Sequence, residues 1–523
     1  MSVLMAVCFA GTAMAIDYVH QFDPDQGFTA QPLIGRNGTT AYLLSGADPG
    51  GNLTAKTGAT LWQIDTMTGV SEVLGFGALA ESAASAWGTP VLWRESGGSG
   101  VTLVMNVYQN ITSGNSVYAA YFDGTGNGVT HWVVSLEGKV FANAGAPDWP
   151  SGLAAAGNAT WTNSLLLDKS NGTTVYGTTG VGAVTGASIY AISLGNQPGS
   201  VTLSNNQWSA MENGVSTFWS SPVISGNSLF ILGTFGDLAG ASGTSLFAFD
   251  KRKLNAGPGI NVVNVLGNAP GSANTPFATP AISGNSLFVV DATGGLTAYS
   301  IRPGNLLGSD AAGFRQLSAS NATAVTASPV ANGSWVVVCA NYPAAGIAGV
   351  SAFRINRQLN ASSGVSFWYE FTGGATITAT PVISNDQVYV AVNTPGNGGL
   401  IARFSLKTSG RSGLIGGPDQ TWSTDARSRR FGMIDGEGGP VVSGSRLVFV
   451  SNQLKRLYNI DVNARGFVYW EQFKFDAARR GYDSKDPDTF AQYQDSQELP
   501  LVSEDTGEED SMVIREDGDS VTQ

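Results

Sequence analysis

Residues 221–233 read SPVISGNSLFILG, and residues 279–291 read TPAISGNSLFVVD, the second copy starting 58 residues after the first. A phrase written twice at such a distance signals a repeat architecture, in which one supersecondary unit is built over and over. Its core is a small residue, a proline, two or three apolar residues, a polar turn and an alternating apolar strand. The phrase recurs as QPLIG at Pro32, TPVLW at Pro90, SPVIS at Pro222, TPAIS at Pro280, SPVAN at Pro329, TPVIS at Pro381 and GPVVS at Pro440. A degenerate copy, NSLLL, sets Ser164 in the proline place and makes eight.

Each copy has a second half. It reads LWQIDTMTG at 61–69, VYAAYFDGTG at 117–126, IYAISLGNQPG at 189–199 and LFAFDKRK at 246–253. The later ones are LTAYSIRPG at 296–304, VSAFRINRQ at 350–358, LIARFSLKTSG at 400–410 and LYNIDVNARG at 457–466. A looser strand then closes near a tryptophan, the candidates being Trp132, Trp208, Trp368, Trp422 and Trp470. Alternation of period two over four to eight residues is the strand signal. Every unit therefore reads as four short antiparallel strands between Gly, Asn and Ser turns. Four strands repeated eight times predict an all-β chain folded as an eight-bladed β-propeller, whose radial repetition leaves only short edges. Seven blades is the alternative if the degenerate copy is an insertion. The segment 17–23, DYVHQFD, is expected to pair with the outer strand of the last blade, around 467–475, and so to close the ring.

Composition agrees. Charged residues are 13% of the chain and glycines number 68 of 523, which suits a sheet protein with many tight turns and suits helices badly. The net charge of −12 sits at one end: from Asp486 onward there are 12 acidic residues and one basic one, Arg515. Residues 481–523 read as a disordered acidic tail. The body is close to neutral, and no basic face of the kind a nucleic acid needs is legible. The small basic clusters at Arg427, Arg429 and Arg430 and at Arg479 and Arg480 read as solvated loops or as partners of that tail. Residues 1–15, MSVLMAVCFAGTAMA, read as a signal peptide ending in a small-x-small site, although a basic start is missing. This predicts an extracytoplasmic protein, secreted, periplasmic or lumenal. No later apolar run reaches 18 residues, so no membrane span is expected. Eight Asn-x-Ser/Thr sequons, Asn332 among them, would admit glycosylation in a eukaryote.

The phrase apolar-Tyr-Ala-apolar-Asp-x-x-Thr-Gly, closest in LWQIDTMTG, together with the small-Pro-apolar start, resembles the repeat of the PQQ-like, or quinoprotein alcohol dehydrogenase-like, propeller superfamily. The resemblance covers roughly residues 17–476. It implies an eight-bladed propeller and two kinds of function. Quinoprotein dehydrogenases hold pyrroloquinoline quinone and Ca²⁺ at the channel mouth, under a disulfide between adjacent cysteines and over a tryptophan, with an aspartate as base. Other members are binding scaffolds without the cofactor. This chain has only Cys8, inside the leader, and Cys339, so the adjacent pair is missing. By the same resemblance, blade-ending tryptophans such as Trp470 pack blade against blade.

Chemistry-bearing residues are sparse. His20 and His131 are the only histidines, and neither stands in a metal or triad spacing. One constellation remains. Three places before the repeat proline, or its serine substitute, stand Trp87, Trp161, Trp219 and Phe277, in successive blades 2 to 5; Asp435 and Glu437 precede the last copy. These residues should lie at the channel mouth. Aromatic faces beside a few carboxylates make a platform for a small ligand or a sugar. The competing reading is packing between blades. Taken together, 1–15 is expected to be a leader, 16–480 a PQQ-like propeller and 481–523 a tail. The expected function is non-catalytic binding of a protein, peptide or glycan by a monomer, with no cofactor. The alternative is a diverged quinoprotein oxidoreductase holding pyrroloquinoline quinone and Ca²⁺.

Overall fold

The computed structural model describes the strands and turns between residues 20 and 462, apart from stretches between them of which 136–164 and 265–278 are the longest. The described strands form eight antiparallel sheets. Each copy of the phrase opens one of them. The first strands are Leu33–Ile34, Ser85–Arg94, Leu166–Asp168, Val223–Ser225, Ala281–Ser283, Val330–Ala331, Val382–Ser384 and Val441–Ser443, and we number the blades 1 to 8 in that order. The degenerate copy carries a full sheet of its own, Leu166–Asp168, Thr174–Thr179, Ser188–Ser193 and Gln207–Ala210. All eight second halves form third strands, and Trp132, Trp208, Trp368 and Trp422 fall on fourth strands as expected, while Trp470 lies outside the described residues.

The chain closes on itself. The first strand of blade 1 touches those of blades 2 and 8, and first strands touch in the same way across blades 2–3, 4–5, 5–6, 6–7 and 7–8; blades 3 and 4 meet through Thr174–Thr179 and Val215–Phe218. The fold is a β-propeller. Its cores are wedges between blades, because alternate residues of a strand point to opposite faces. In blade 5, Leu287 and Val289 join the core shared with blades 3 and 4, whereas Phe288 and Val290 join the one shared with blades 6 and 7. In blade 7, Val388 and Val390 look one way and Tyr389 and Ala391 the other. Both faces of a middle blade are thus apolar, and neither survives without neighbours.

The small residue before the proline has a specific task. The Ser221 N–H donates to Thr279 Oγ1 at 3.2 Å, the Thr279 N–H to Ser328 Oγ at 2.9 Å and the Ser328 N–H to Thr380 Oγ1 at 3.2 Å. Each bond runs from one blade to the next, and all four residues are buried. First strands converge at the axis without pairing as a sheet, so their inner N–H groups need another acceptor. A hydroxyl one blade along supplies it. Blade 8 has Gly439 in this place, because a Cβ there would collide with the Thr380 carbonyl. Gln31 stands in the same place in blade 1 and reaches back to the Pro440 carbonyl at 2.8 Å, tying blade 1 to blade 8. At the opposite end of the channel, Lys251 of blade 4 and Asp168 of blade 3 form a buried ion pair of 2.7 Å. Lys251 stands where blades 5 and 6 carry Ile301 and Ile355, its backbone N–H bonding the first turn of its blade as theirs do.

Two sequence expectations shift. Segment 17–23 was expected against 467–475; His20–Gln21 instead pairs directly with the third strand of blade 8, His20 opposite Leu457 and Gln21 opposite Arg456. The N-terminal strand thus takes the fourth place itself, and 467–475 lies outside the described residues. In blade 3, Leu166 faces Tyr176 just as Val223 faces Phe230 and Ala281 faces Phe288. The residue after the proline faces the buried second-strand aromatic in these blades, so Leu165, not Ser164, fills the proline place. Ser164 itself lies outside the described residues.

The latch makes a clear forecast. Thr279→Val keeps the volume and leaves the buried Ser221 N–H without an acceptor, a cost of about 1–3 kcal/mol; Thr279→Ser should cost much less. Urea unfolding of the two variants beside the parent protein checks this, and equal midpoints for Val and Ser would refute the latch.

Candidate functional site

In each blade the second strand ends on the face where the next blade's lead-in begins, so second-to-third turns and lead-ins share one mouth of the channel. This mouth is best described in blades 6 to 8. The turn Pro343–Gly346 of blade 6 accepts the Gly374 N–H on the Gly346 carbonyl at 2.8 Å. In blade 8, Gln453 Oε1 accepts the Met433 N–H at 3.0 Å, and Ser451 Oγ donates to the Met433 carbonyl at 2.9 Å. Blade 7 brings two backbones closer still: Gly398 has φ of 79°, and a Cβ on it would strike the Phe431 carbonyl, so only glycine fits.

Two asparagines hold the lead-ins. Asn341 donates from Nδ2 to the Ile377 carbonyl at 2.9 Å and accepts the Ile377 N–H on Oδ1 at 2.8 Å. Asn393 does the same to Ile434, at 2.9 and 2.8 Å. A side-chain amide carries one acceptor and a donor in the geometry of a peptide group, so it pairs with both backbone groups of one residue as a strand would. The two asparagines are seventh in their second strands, WVVVCANY and QVYVAVNT. A third asparagine, Asn452, has the matching place in blade 8 but lies outside the described residues.

On the rim between blades 7 and 8, the Arg403 guanidinium lies 5.9 Å from the centre of the Trp422 ring, and Trp422 leans on Tyr389 at 6.4 Å. The Tyr389 hydroxyl donates to Gln387 Oε1 at 2.8 Å. Burial pushes the Tyr389 phenol up to about 12, against a smaller downward pull from Arg403. Trp422 packs on the core shared by blades 7 and 8, which also holds the ring cluster of Phe431, Phe449 and Tyr458. Trp422 thus lies against the core between blades 7 and 8.

Of the aromatic arc, the backbone of Trp87 lies in the strand Ser85–Arg94, opposite Asn106, beside a register shift that ends at Val91. Trp161, Trp219, Phe277, Asp435 and Glu437 lie outside the described residues. The register of blade 3 puts Trp161 four places before the proline position rather than three, one step out of line with Trp87, Trp219 and Phe277. The matching residue of blade 7, Thr378, is half-buried. Met433, 38% exposed, is the exposed large hydrophobic among the described residues and sits on the mouth two residues ahead of Asp435. Sequence reasoning missed it, since a lone methionine in FGMIDG carries no pattern. His131 sits within a fourth strand opposite Ala120, an ordinary ladder position. Asn332 does not fit its sequon: it is buried, and its Oδ1 accepts the N–H groups of Ser334 and Trp335, so the folded chain offers no room there for a sugar.

The quinoprotein arrangement fits poorly. Cys339 is 1% exposed inside the second strand of blade 6, and burial pushes its thiol well above the usual range, so it cannot sit over a quinone at the mouth. Among the described residues no cluster of three His, Cys, Asp or Glu side chains suits a metal ion, and no helix is long and apolar enough to cross a membrane.

No known family and no curated protein matches the sequence. Solved structures are similar to it in fold. The periplasmic gluconolactonase PpgL of Pseudomonas aeruginosa is 14% identical, with 73% of this chain and 95% of that one covered and a TM-score of 0.37. The C-terminal domain of PilY1 from the same organism is 12% identical, covering 78% and 91%, with a TM-score of 0.36. The β-propeller domain of the trilobed protease of Pyrococcus furiosus is 8% identical, covering 71% and 95%, with a TM-score of 0.31. What they share with it is the propeller. The chain spans half the length of another neighbour, the prolyl oligopeptidase B of Galerina marginata. Enzymes and other propellers both stand among these neighbours, and at such identities the likeness concerns fold alone.

Two outcomes follow for this region. Asn393→Leu strands the buried N–H and carbonyl of Ile434, each worth about 1–3 kcal/mol, so the unfolding midpoint should fall more than for a surface asparagine. Tyr389 adds a pH dependence: a phenol raised in the folded state gives stability that is complete below the ordinary value near 10 and lost as pH rises to about 12. Unfolding followed from pH 9 to 12 should show this loss, and Tyr389→Phe should lessen it, leaving the share of Cys339 and Tyr42, which burial also raises.

Proposed function

We propose that the chain is a PQQ-like propeller acting outside the cytoplasm as a non-catalytic binding module, which takes a protein, peptide or glycan at the channel mouth. Trp87, Trp219 and Phe277 supply flat apolar faces on one side, with Trp161 beside them. Asp435, Glu437 and the exposed Met433 supply the other. Aromatic faces opposite carboxylates suit a sugar ring or an extended peptide, whose hydroxyls or amides donate to the acids while its apolar surface stacks. No cofactor is part of the reading.

The observation that carries it is the use made of polar groups at the mouth. Asn341 and Asn393 spend their amides on backbone, and Ser451 and Gln453 hold Met433 in place. A surface whose amides and hydroxyls fix its own shape is built for presenting contacts, and rigid presentation lowers the entropy cost of binding.

Two titrations followed by tryptophan fluorescence test this. Pyrroloquinoline quinone, with and without Ca²⁺, should give no saturable quenching; Ca²⁺-dependent saturation near micromolar, roughly −8 kcal/mol, would replace the binding module with a quinoprotein. Oligosaccharides and peptides selected on arrays should bind, and the triple variant Trp87→Ala, Trp219→Ala, Phe277→Ala should lose at least about tenfold in affinity, about 1.4 kcal/mol. Unchanged affinity would return the aromatics to packing.

A further inference from the structure

The second, third and fourth strands of blade 7 are Gln387–Thr394, Gly398–Ser405 and Gln420–Trp422. Their register sets Tyr389, Arg403 and Gln420 side by side in one row, with Gln387 opposite Ser405 in the row below and Trp422 opposite Ile401 in the row above. Opposed residues of a ladder share a face. Here it is the face toward blade 8, where Tyr389, Ile401 and Trp422 meet the common core. Gln387 begins the strand whose seventh residue, Asn393, clamps the mouth, so this row lies toward the far end of the blade. Arg403 and Gln387 are half-buried and Gln420 is exposed. The Arg403 guanidinium rests over the Trp422 ring and forms no ion pair among the described residues. Its Nε is shielded from solvent and meets no acceptor there. The Tyr389 hydroxyl spends the Gln387 amide oxygen, which leaves Gln387 its N–H groups as donors. Arg403 also acts on the Tyr389 phenol, so both side chains stand beside the same hydroxyl. The row thus gathers donors and no negative charge, and donors that lose water without gaining an acceptor are costly.

We propose that Arg403 and Gln387 form a carboxylate-binding site on the rim between blades 7 and 8, apart from the mouth. The planar guanidinium matches the two oxygens of a carboxylate, and an amide N–H beside it completes the set. Contact with Trp422 fixes the guanidinium before binding, so less side-chain freedom is lost when the ligand arrives. One guanidinium balances one negative charge, which fits a carboxylate better than a doubly charged phosphate. The shared chemistry is the carboxylate, whether a small acid or the side chain of an acidic peptide brings it. The site does not depend on what the mouth takes.

Nuclear magnetic resonance on the full chain, carrying isotope-labelled tryptophan, tests this. The indole N–H signal of Trp422 is assigned through Trp422→Phe and followed at constant ionic strength. Sodium acetate and a hexaglutamate peptide should each move it saturably, and sodium chloride should not. Tighter saturation per carboxylate by hexaglutamate names a peptide as the source, and tighter saturation by acetate names a small acid; both support the site. Gln387→Glu keeps an oxygen for Tyr389 and sets a carboxylate beside Arg403, so it should unfold no more easily than the parent and lose at least about tenfold in acetate affinity. Arg403→Lys keeps the charge without the planar fork and should weaken binding as well. No saturable shift with acetate or hexaglutamate, an equal shift with chloride, or unchanged acetate binding in both variants overturns the site. Saturation by phosphate with none by either carboxylate overturns its assignment to a carboxylate.

Discussion

Where the first strands converge on the axis, backbone N–H groups are buried and no sheet partner is in reach. The hydroxyl before the repeat proline resolves this. From Ser221 to Thr279 to Ser328 to Thr380, each buried N–H finds its acceptor on the next blade. The proline has no N–H to satisfy, and it keeps the residue before it extended, which turns that residue's N–H sideways toward the neighbour. Three such bonds link the first strands of blades 4 to 7. Wedge-shaped cores can fill the space between blades only if the blades meet the axis at a constant spacing, and the latch sets that spacing.

The same economy governs the mouth. In the lead-ins of blades 7 and 8, Ile377 and Ile434 are buried and turn their backbone groups toward the preceding blade. Asn341 and Asn393 act as one-residue strands for them. Where two backbones come closer than a side chain permits, at Gly398 and Gly439, only glycine leaves the room. Structural bonding thus uses up much of the polar inventory of the described mouth, and this is why a binding surface made of aromatics, acids and one methionine is the reading we favour over a reaction centre.

The periodicity made most of the fold legible. Alternation in LFAFDKRK or LYNIDVNARG does not depend on what lies beside the strand, because the side-chain period is built into extended backbone. The small residue before each proline was visible too, but its role was not: an acceptor 49 to 58 residues away matters only once two first strands lie side by side. The register slip at Ser164 has a related cause. NSLLL offers no proline to fix the frame, and only the pairing of Leu166 with Tyr176 sets it. The candidate site was less legible, since loop residues such as Met433 obey no period.

By itself, then, the sequence determined the unit: a strand phrase repeated eight times, apolar on both faces, with turns supplied by glycine and asparagine. It also determined that two separated cysteines cannot build the quinoprotein's adjacent pair. The tertiary structure decided which N–H meets which hydroxyl, which asparagine clamps which lead-in, and that His20–Gln21 pairs directly with the third strand of blade 8. The reason is physical. Local pattern follows from backbone geometry within a few residues, whereas ring closure and burial depend on partners hundreds of residues apart, whose meeting no local rule encodes.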